Sequence, residues 1–377
     1  MTVDNRHAII MQTFAECYFR SGFPKKKIGV NVRNKKRKLV SIKDIAQEAG
    51  VSPSTVSRAL HNHPHISEKT GARIQRLAQE MDYTPSLLAR SLVTQDTATI
   101  GLVITYTADP FLSRLVQGVE ETARSSGYSV FLSSSYRDYE RELEVVRSFH
   151  ERRTSGIIIT GSQIDTDYLE LHDRFPFPVV LTNCRTYPYS VSADNVAGAR
   201  QAIKHLIQLG HRRIAYVVNH RSYHTNLDRL TGYQQVLKEH NIRSDETLIV
   251  EGDGMLEGGA RAGRQLLALP QPPTAIFCFN DMTAVGVLTA LREAGLQVPR
   301  DCSVVGFDDL EMAAYYWPPL TTVRQPRYRM GQEAMRMLLE LIQGESDVQE
   351  EVLPTELVVR ETTGPAPVAR KSSKGGS

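Results

Sequence analysis

The chain contains 377 residues, of which 41% are hydrophobic and 23% are charged, and its formal net charge is +3. This length predicts two or three domains rather than one. No apolar run approaches the roughly 18 residues that span a membrane, and the first residues lack the charged start, apolar stretch and cleavage site of a secretory signal. We therefore expect a globular, cytoplasmic protein that has no membrane partner.

The four cysteines (Cys17, Cys184, Cys278 and Cys302) lie far apart, without a Cys-x-x-Cys pair. This spacing argues against a disulfide framework and a structural zinc site, and it suits a reducing cytoplasm. The sequence HNHPH at 61–65 is rich in possible ligands, but no carboxylate or cysteine is nearby, which favours a polar surface turn. We expect no metal and no cofactor.

Positive charge is concentrated near the N-terminus, where ten Lys or Arg and no Asp or Glu lie from Arg20 to Lys43. This composition predicts that residues 1–38 are a disordered basic extension. Two alternatives remain open: an arm that binds phosphates without sequence preference, or a true start of the protein beyond residue 38.

The segment SIKDIAQEAG predicts a short amphipathic helix. Its apolar stripe, spaced i, i+3, i+4 and i+7, consists of Ile42, Ile45, Ala46 and Ala49. Gly50 then ends the helix, because glycine accepts the left-handed backbone of a tight turn. The pattern indicates that a second helix begins within a few residues.

The stretch VSPSTVSRAL, at positions 51–60, predicts that second helix. Ser52 is a suitable N-cap, and Pro53 suits the first helical position because its missing N–H is not needed there. Val56 and Leu60 are predicted to face inward. The outward side then carries Pro53, Ser54, Thr55, Ser57 and Arg58. Two helices joined by so short a turn are typical of a helix-turn-helix.

A third helix is predicted after Ser67, which can cap it. Its buried side consists of Ile74, Leu77, Ala78 and Met81. Three short helices beside a basic segment predict a helix-turn-helix DNA-binding domain over residues 39–85, because hydroxyls bond phosphates and arginine makes a bidentate contact with guanine. The alternative is a small helical bundle without a ligand.

The segment SLLARSLVT, within residues 86–98, is too short to be a stable helix alone in water, where helices of fewer than about 12 residues are marginal. Leu88, Ala89 and Leu92 nevertheless form one apolar face. The segment is therefore expected to become ordered only against a partner. The alternative is a plain interdomain linker.

From Thr99 the pattern changes to short apolar runs that alternate with amphipathic helices. The runs predicted as buried parallel strands are IGLVI, SVFLS, GIIIT, PVVLT, RIAYVV, TAIFCF and SVVGF. The predicted helices are Phe111 to Ser126, Glu140 to Arg152, Val196 to Leu209, Asp281 to Ala294 and Tyr328 to Ile342. This alternation predicts an α/β fold of doubly wound parallel sheets in two lobes over residues 99–361, followed by a disordered tail at 362–377.

Sheets of this kind bind ligands at the carboxyl ends of their strands, which in a two-lobed protein means the cleft between the lobes. Residues close behind the predicted strands are therefore candidates for binding a small effector. The candidate set is Thr105, Phe111, Asn183, Arg229, Asn280, Asp281 and Gln325. The sequence has no GxSxG, HExxH or other supported catalytic set, which argues against an enzyme.

The stretches DIAQEAGVSPSTVSRAL and YTPSLLARSL resemble the N-terminal region of LacI/GalR (lactose-repressor-type) transcriptional regulators. The resemblance implies that Pro53, Ser54 and Arg58 face the major groove, with specificity resting on Ser54 and Arg58 because proline cannot hydrogen-bond a base. The remaining DNA contacts of this domain are expected from Ser52, Thr55, Ser57, Ser67 and Tyr83.

The same resemblance implies that residues 86–98 contain a hinge helix that pairs with its symmetry mate in the minor groove of DNA. The expected contacts come from Ala89, Arg90 and Leu92, with Leu92 wedged between base pairs. Such a wedge costs unstacking energy and gains a bent duplex with more contact.

Further along the chain, SADNVAGARQAIKHLIQLGHRRIAYV and PPLTTVRQP are similar to the effector-binding core of that family, which itself resembles periplasmic sugar-binding proteins. By motif position, Arg229 and Asp281 are implied to bind hydroxyl groups from opposite walls, and Phe111 to stack on an apolar ring face. The alternatives are an interlobe salt bridge for the charged pair and core packing for Phe111.

One departure from the family concerns the segment after LIVEGD, where many relatives have an aromatic residue that stacks on the ligand and this chain has Gly254 and Met255. Ligand identity therefore stays open. The glycines of this region (Gly252, Gly254, Gly258 and Gly259) do not form GxGxxG, so we interpret them as a flexible loop and helix start rather than a nucleotide site.

These features predict a homodimeric, sequence-specific transcriptional repressor. Two copies about a dyad would read a near-palindromic double-stranded DNA operator, under the control of a sugar or related metabolite bound between the lobes. One rival is a transport solute-binding protein, which shares the two-lobed core but not the helix-turn-helix. Another is an enzyme such as a sugar kinase with a DNA-binding head, which would need a phosphate loop or a catalytic carboxylate.

Overall fold

The computed structural model describes residues 40–60, 63–83, 97–162, 177–184, 187–219, 224–345 and 347–367. The chain divides into two compact units, Met1–Pro85 and Ser86–Ser377. The predicted basic extension and the predicted hinge contacts Ala89, Arg90 and Leu92 lie outside the described residues. Within the described ranges, no helix is long and apolar enough to cross a membrane.

The first unit contains three helices: α1 (Ile42–Ala49), α2 (Pro53–Leu60) and α3 (Glu68–Glu80). Ser41 and Asp44 cap α1 reciprocally, because the Asp44 amide donates to the Ser41 hydroxyl at 3.3 Å and the Ser41 amide donates to the Asp44 carboxylate at 2.8 Å. Gly50 ends α1 with a φ of 65°, the left-handed conformation that the sequence predicts. The predicted helix-turn-helix is confirmed.

A small apolar core joins the three helices. Ile45 of α1, Val56 of α2 and Ile74 of α3 are each fully buried, and burying one such side chain contributes about 1.5–3 kcal/mol. Ala59 is the second fully buried residue of α2, whereas Leu60, predicted to face inward, is only half-buried. The polar side of α2 is thereby left outside the core.

The second unit contains twelve described strands and seven described helices. The strands are β1 (Thr99–Ile104), β2 (Ser129–Ser134), β3 (Gly156–Thr160), β4 (Val179–Thr182), β5 (Ser190–Ala193), β6 (Ile214–Val218), β7 (Ile249–Glu251), β8 (Ala275–Cys278), β9 (Ser303–Asp308), β10 (Thr321–Arg324), β11 (Glu351–Leu353) and β12 (Glu356–Val358). The helices are α4 (Pro110–Ser125), α5 (Tyr139–Glu151), α6 (Asn195–Gln208), α7 (His224–Glu239), α8 (Leu256–Leu267), α9 (Asp281–Glu293) and α10 (Arg327–Ile342).

These strands form two sheets with the same winding. The sheet of the first lobe has the order β11-β5-β4-β3-β1-β2, and the sheet of the second lobe has the order β12-β10-β9-β8-β6-β7. Neighbouring strands are parallel except for the β10–β12 pair. The predicted doubly wound, two-lobed α/β fold is confirmed. The antiparallel edge strand β12 was not part of the prediction.

All seven predicted strands are present, but one of them is not buried. β2, the SVFLS run, lies at the edge of its sheet, where Phe131 remains 51% exposed. An apolar run of five residues cannot by itself distinguish a central strand from an edge strand, since that distinction depends on distant pairing partners. The short strands β5, β7, β11 and β12 were not predicted.

The chain passes between the lobes three times. After β5 it enters the second lobe through α6, it returns to the first lobe between β10 and α10, and it crosses again between β11 and β12. Both lobes are therefore built from discontinuous segments. The crossing between β10 and α10 carries Gln325 and Arg327, which belong to the cleft region described below.

The folded core extends beyond its predicted end at residue 361. Thr362 is fully buried and bonds to both β9 and β10, because its hydroxyl accepts from the Thr321 amide at 2.8 Å and donates to the Val304 carbonyl at 2.7 Å. The backbone carbonyl of Gly364 bonds the buried ring of His211 at 3.0 Å. The prediction of a disordered tail from residue 362 is therefore wrong for 362–367, and 368–377 lie outside the described residues.

Gly252 and Gly254 lie in the loop before α8, and Gly258 and Gly259 lie in its first turn, in agreement with the predicted loop and helix start. Glycines also hold α8 and α9 close together, which the sequence did not predict. A Cβ on Gly259 of α8 would lie 2.2 Å from the Thr283 carbonyl oxygen of α9, and one on Gly286 of α9 would lie 2.1 Å from the Leu256 carbonyl oxygen. Only glycine permits an approach this close, because any larger residue would push the helix backbones apart.

Candidate functional sites

The outward side of α2 has the exposure that a DNA-reading helix requires. Pro53, Ser54 and Arg58 are exposed, whereas Thr55 and Ser57 are half-buried. Ser52 caps α2, since its hydroxyl accepts a hydrogen bond from the Thr55 amide at 3.1 Å. The Arg58 guanidinium, which can make a bidentate contact, and the Ser54 hydroxyl, which lies 2.8 Å from the Ser52 hydroxyl, thus project from one short helix.

Two further predicted DNA contacts, Ser67 and Tyr83, come after α2 in the sequence. Ser67 is exposed and caps α3, with its hydroxyl accepting from the Thr70 amide at 3.3 Å. Tyr83 is half-buried against the apolar core of the unit, and burial raises the pKa of its phenol. Across the described residues, no cluster of His, Cys, Asp or Glu could hold a metal ion, and the described part of HNHPH is a turn.

In the second unit, a cavity of about 260 Å³ lies where the carboxyl ends of strands from both lobes meet. Six of the seven predicted effector residues line this cleft: Thr105, Phe111, Asn183, Arg229, Asn280 and Gln325. Each of these residues lies either directly after a strand or in the helix that follows that strand, as the rule for doubly wound sheets predicts.

Arg229 is the central cation of the cleft. Its guanidinium lies 3.7 Å from the ring centroid of Phe307 and 4.4 Å from that of Phe279. Nε donates to the Asn195 side-chain oxygen at 2.9 Å, and Nη1 donates to the Phe279 carbonyl. Rings and neutral acceptors hold this buried charge in place, and desolvation lowers its pKa.

Asp308, which was not predicted, supplies the carboxylate of the second-lobe wall. It lies at the end of β9, it lines the cleft, and its Oδ1 accepts a hydrogen bond from Gln325 Nε2 at 2.6 Å. Burial raises the pKa of this carboxyl to about 7. Its position directly after the predicted run SVVGF is the same signal that identified the other candidates, so the strand-end rule could have found it.

Asp281, the carboxylate that was predicted, does not line the cleft. It is fully buried at the start of α9, where Oδ2 accepts from the Leu310 amide at 2.8 Å and Oδ1 from the Thr322 hydroxyl. Burial raises the pKa of this carboxyl well above its usual range. Because Asp281 and Arg229 belong to the same lobe, they do not form the interlobe salt bridge considered as an alternative.

Asn280 and Phe111 each have a structural role beside their place in the cleft. The Asn280 side chain caps α9 by accepting from the Thr283 amide at 2.9 Å, and its Nδ2 donates to the Gly254 carbonyl at 2.9 Å. Phe111 packs partly against the core of the first lobe while also lining the cleft. Stacking on a ligand and core packing are therefore both compatible with its position.

Several buried acceptors around the cleft have no partner within the described residues. The side-chain oxygens of Thr182, Asn183 and Gln325 are inaccessible to solvent and make no hydrogen bond, and all three residues line the cavity. Native proteins rarely leave buried polar atoms unsatisfied. Three further residues with an unpartnered buried side-chain atom, Ser190, Ser192 and Asn226, do not line the cavity.

Arg137 enters the cleft through a strained turn and was not predicted. It follows Tyr136, and the two have φ values of 57° and 56°, in the left-handed region that non-glycine residues seldom adopt. Strain of this kind is frequent in ligand-binding loops. Arg137 follows the end of β2 by three residues, so the strand-end rule could have found it, although no Gly, Asn or Asp marks the strained turn.

Two family models match the chain: "Bacterial regulatory proteins, lacI family" over residues 41–86 and "Periplasmic binding protein-like domain" over residues 203–363. The HTH-type transcriptional repressor PurR of Vibrio atlanticus is 36% identical over 310 residues, covering 81% of this chain and 92% of the relative. The HTH-type transcriptional repressor CytR of Escherichia coli is 34% identical over 337 residues, covering 88% and 99%.

Solved structures agree with these relatives. A lac repressor dimer bound to operator and the anti-inducer ONPF superimposes with a TM-score of 0.81 at 32% identity, covering 87% of this chain and all of that chain. A complex of the transcriptional regulator CelR with cellobiose gives a TM-score of 0.67 at 30% identity, covering 86% and 99%.

A helix-turn-helix unit followed by a two-lobed, ligand-binding core defines a ligand-responsive, DNA-binding transcriptional regulator. The chain belongs to the lacI family of bacterial regulatory proteins.

Proposed function

We propose that this protein is a cytoplasmic, homodimeric repressor whose affinity for a near-palindromic operator is set by a sugar or a related polyhydroxylated metabolite in the cleft. The observation that carries the proposal is the polar lining of one cavity between the lobes, where the side chains of Asn183, Gln325, Asp308 and Arg229 come together. These groups call for a ligand with several hydrogen-bond donors.

The composition of the cleft favours hydroxyl-rich ligands. Asp308 and the unpartnered oxygens of Asn183 and Gln325 are acceptors, Arg229 is a donor, and Phe111 offers an apolar face from the other lobe. A hydroxyl both donates and accepts, and the C–H face of a sugar ring packs on an aromatic ring. The cellobiose complex of CelR is consistent with this class of ligand.

On the DNA side, we infer that α2 enters the major groove and that Ser54 and Arg58 contact base edges. Phosphate contacts are expected from Ser52, Thr55, Ser57, Ser67 and Tyr83. Because one helix of eight residues reaches only a few base pairs, two copies about a dyad are needed for specific binding.

The hinge hypothesis concerns residues 86–98, of which 86–96 lie outside the described part of the chain. Ordering about nine residues costs roughly 1–2 kcal/mol each, so only DNA with both hinges docked offsets the cost. Replacing Leu92 by Gly is expected to abolish tight operator binding and to leave ligand affinity unchanged. A gel-shift titration checks this, and retention of operator affinity would exclude the hinge mechanism.

We infer that a second copy of the chain packs against the segment 312–317. Met312, Tyr315 and Trp317 are 55%, 87% and 91% exposed, and exposed apolar clusters of this kind mark interfaces. Trp317→Glu is expected to give monomers at concentrations where the wild type is dimeric, as measured by light scattering. Val352→Glu, at a position that is 45% exposed on β11 of the first lobe, is the control. A dimeric Trp317→Glu variant would place the interface elsewhere.

The proposed function is tested by selecting genomic DNA fragments on the purified protein and by screening thermal stability against sugars, polyols and nucleosides. A preferred near-palindromic sequence and one stabilising metabolite are expected. The named relatives are repressors rather than enzymes, and we propose that this chain is likewise not catalytic. Turnover of the stabilising metabolite would favour the enzyme alternative, and absence of any preferred DNA would favour a transport role.

A further inference from the structure

Arg327 lies at the boundary of the two lobes and bonds to both. It begins α10 and is only 6% exposed. Nη1 donates to the carbonyl of Pro110, at the start of α4 in the first lobe, at 3.3 Å. Nη2 donates to the carbonyl of Asp309, in the second lobe, at 3.1 Å. Any change of the angle between the lobes therefore changes at least one of these bonds.

Glu311 links this buried cation to the surface of the first lobe. Its Oε2 lies 3.5 Å from Arg327 Nη2, and its Oε1 accepts a hydrogen bond from Arg114 Nε of α4 at 2.7 Å. Glu311 itself belongs to the second lobe, directly after β9. One second-lobe carboxylate is thus held between two arginines that pack with the first lobe.

The group also lies next to the cleft. Asp109 and Asp308 line the cavity from the first and second lobes, and the positive charge of Arg327 acts on both carboxylates. Asp308 and Asp309 have φ values of 126° and 51°, so a strained turn separates the cleft from Glu311. A ligand that engages either carboxylate would change the electrostatic balance around Arg327.

We propose that Arg327, Glu311 and Arg114 form an interlobe latch that holds the lobes at the angle seen here and that loosens or tightens with occupancy of the cleft. The Arg114–Glu311 pair is half-exposed and weak alone. The buried Arg327 adds a hydrogen bond across the boundary to the Asp309 carbonyl, so the latch biases a two-state equilibrium between lobe angles. Its dependence on occupancy rests on the proposed effector binding.

The latch is tested by measuring an interlobe distance in the full chain without ligand or DNA. Spin labels are attached at Glu144→Cys on α5 and Lys238→Cys on α7, two exposed positions on different lobes, in a Cys17→Ser background. Dilution with unlabelled protein restricts the measurement to pairs within one chain. Glu311→Gln, which keeps the size of the side chain and removes its charge, is expected to shift the distance distribution to longer values.

Glu293→Gln is the matched control, because it breaks an ion pair of similar exposure, Arg264–Glu293 at 3.0 Å, that lies within the second lobe. Arg114→Gln is expected to act like Glu311→Gln, and the control to act like the wild type. If Glu311→Gln and Arg114→Gln both match the control, the latch is excluded. This readout needs neither effector nor operator, so failure to find either ligand would affect the proposed function and not this result.

Discussion

Replacing Arg58 by Ala is expected to weaken operator binding at least about thirty-fold. Arg58 is exposed in the last turn of α2. One bidentate arginine–guanine contact is worth about 1–3 kcal/mol, and a dimer makes it twice, which gives about 2–6 kcal/mol. Every 1.4 kcal/mol corresponds to a factor of ten in affinity. The measurement is a titration of labelled operator at fixed salt.

The matched control for this prediction is Arg76→Ala. Arg76 is also exposed, but it lies on α3, outside the predicted reading surface. The two variants lose the same formal charge, so an effect that both share reports the change in net charge rather than the loss of a base contact. Arg58→Ala should in addition lose its preference for the operator over random DNA. If both variants lost affinity equally while keeping that preference, Arg58 would be a phosphate contact rather than a base reader.

The helix-turn-helix could be predicted almost residue by residue because its signals are local. The stripe that includes Ile45 and Ala49 lies within one short helix, and Gly50 marks the turn by its own backbone requirement. Ser52 and Ser67 cap α2 and α3 by accepting hydrogen bonds from amides only three residues further along the chain, so these caps are also local. No distant part of the chain decides any of these features.

The sequence predicts the position of the cleft correctly, but not every residue that lines it. Asp281 and Asp308 both lie near the end of a strand, and the local sequence does not distinguish them. The Asp281 carboxylate points into the lobe because it accepts hydrogen bonds from Leu310 and Thr322, which are 29 and 41 residues away in the chain. The exposure of β2 and the docking of Thr362 likewise depend on distant strands. Local periodicity predicts which elements form, whereas side-chain direction at their ends is decided by tertiary contacts.

Replacing Arg229 by Lys is expected to weaken effector binding by at least about thirty-fold and to leave operator binding intact. A lysine keeps the charge but cannot lie flat between Phe279 and Phe307 while donating to Asn195. Loss of a buried, charge-assisted contact costs about 2–5 kcal/mol. Calorimetric titration with the metabolite identified by thermal shift measures the change.

Arg200→Lys serves as the control for Arg229→Lys. Arg200 lies on the neighbouring helix α6 and pairs with Glu239 at 2.7 Å, outside the cleft. A drop in melting temperature shared by both variants would report lost packing rather than lost recognition. Of these two variants, only Arg229→Lys should lower ligand affinity, because Arg229 lines the cleft and Arg200 does not. Unchanged affinity in Arg229→Lys would mean that the ligand binds without the central cation, and the assignment of the cleft to polyhydroxylated effectors would then fail.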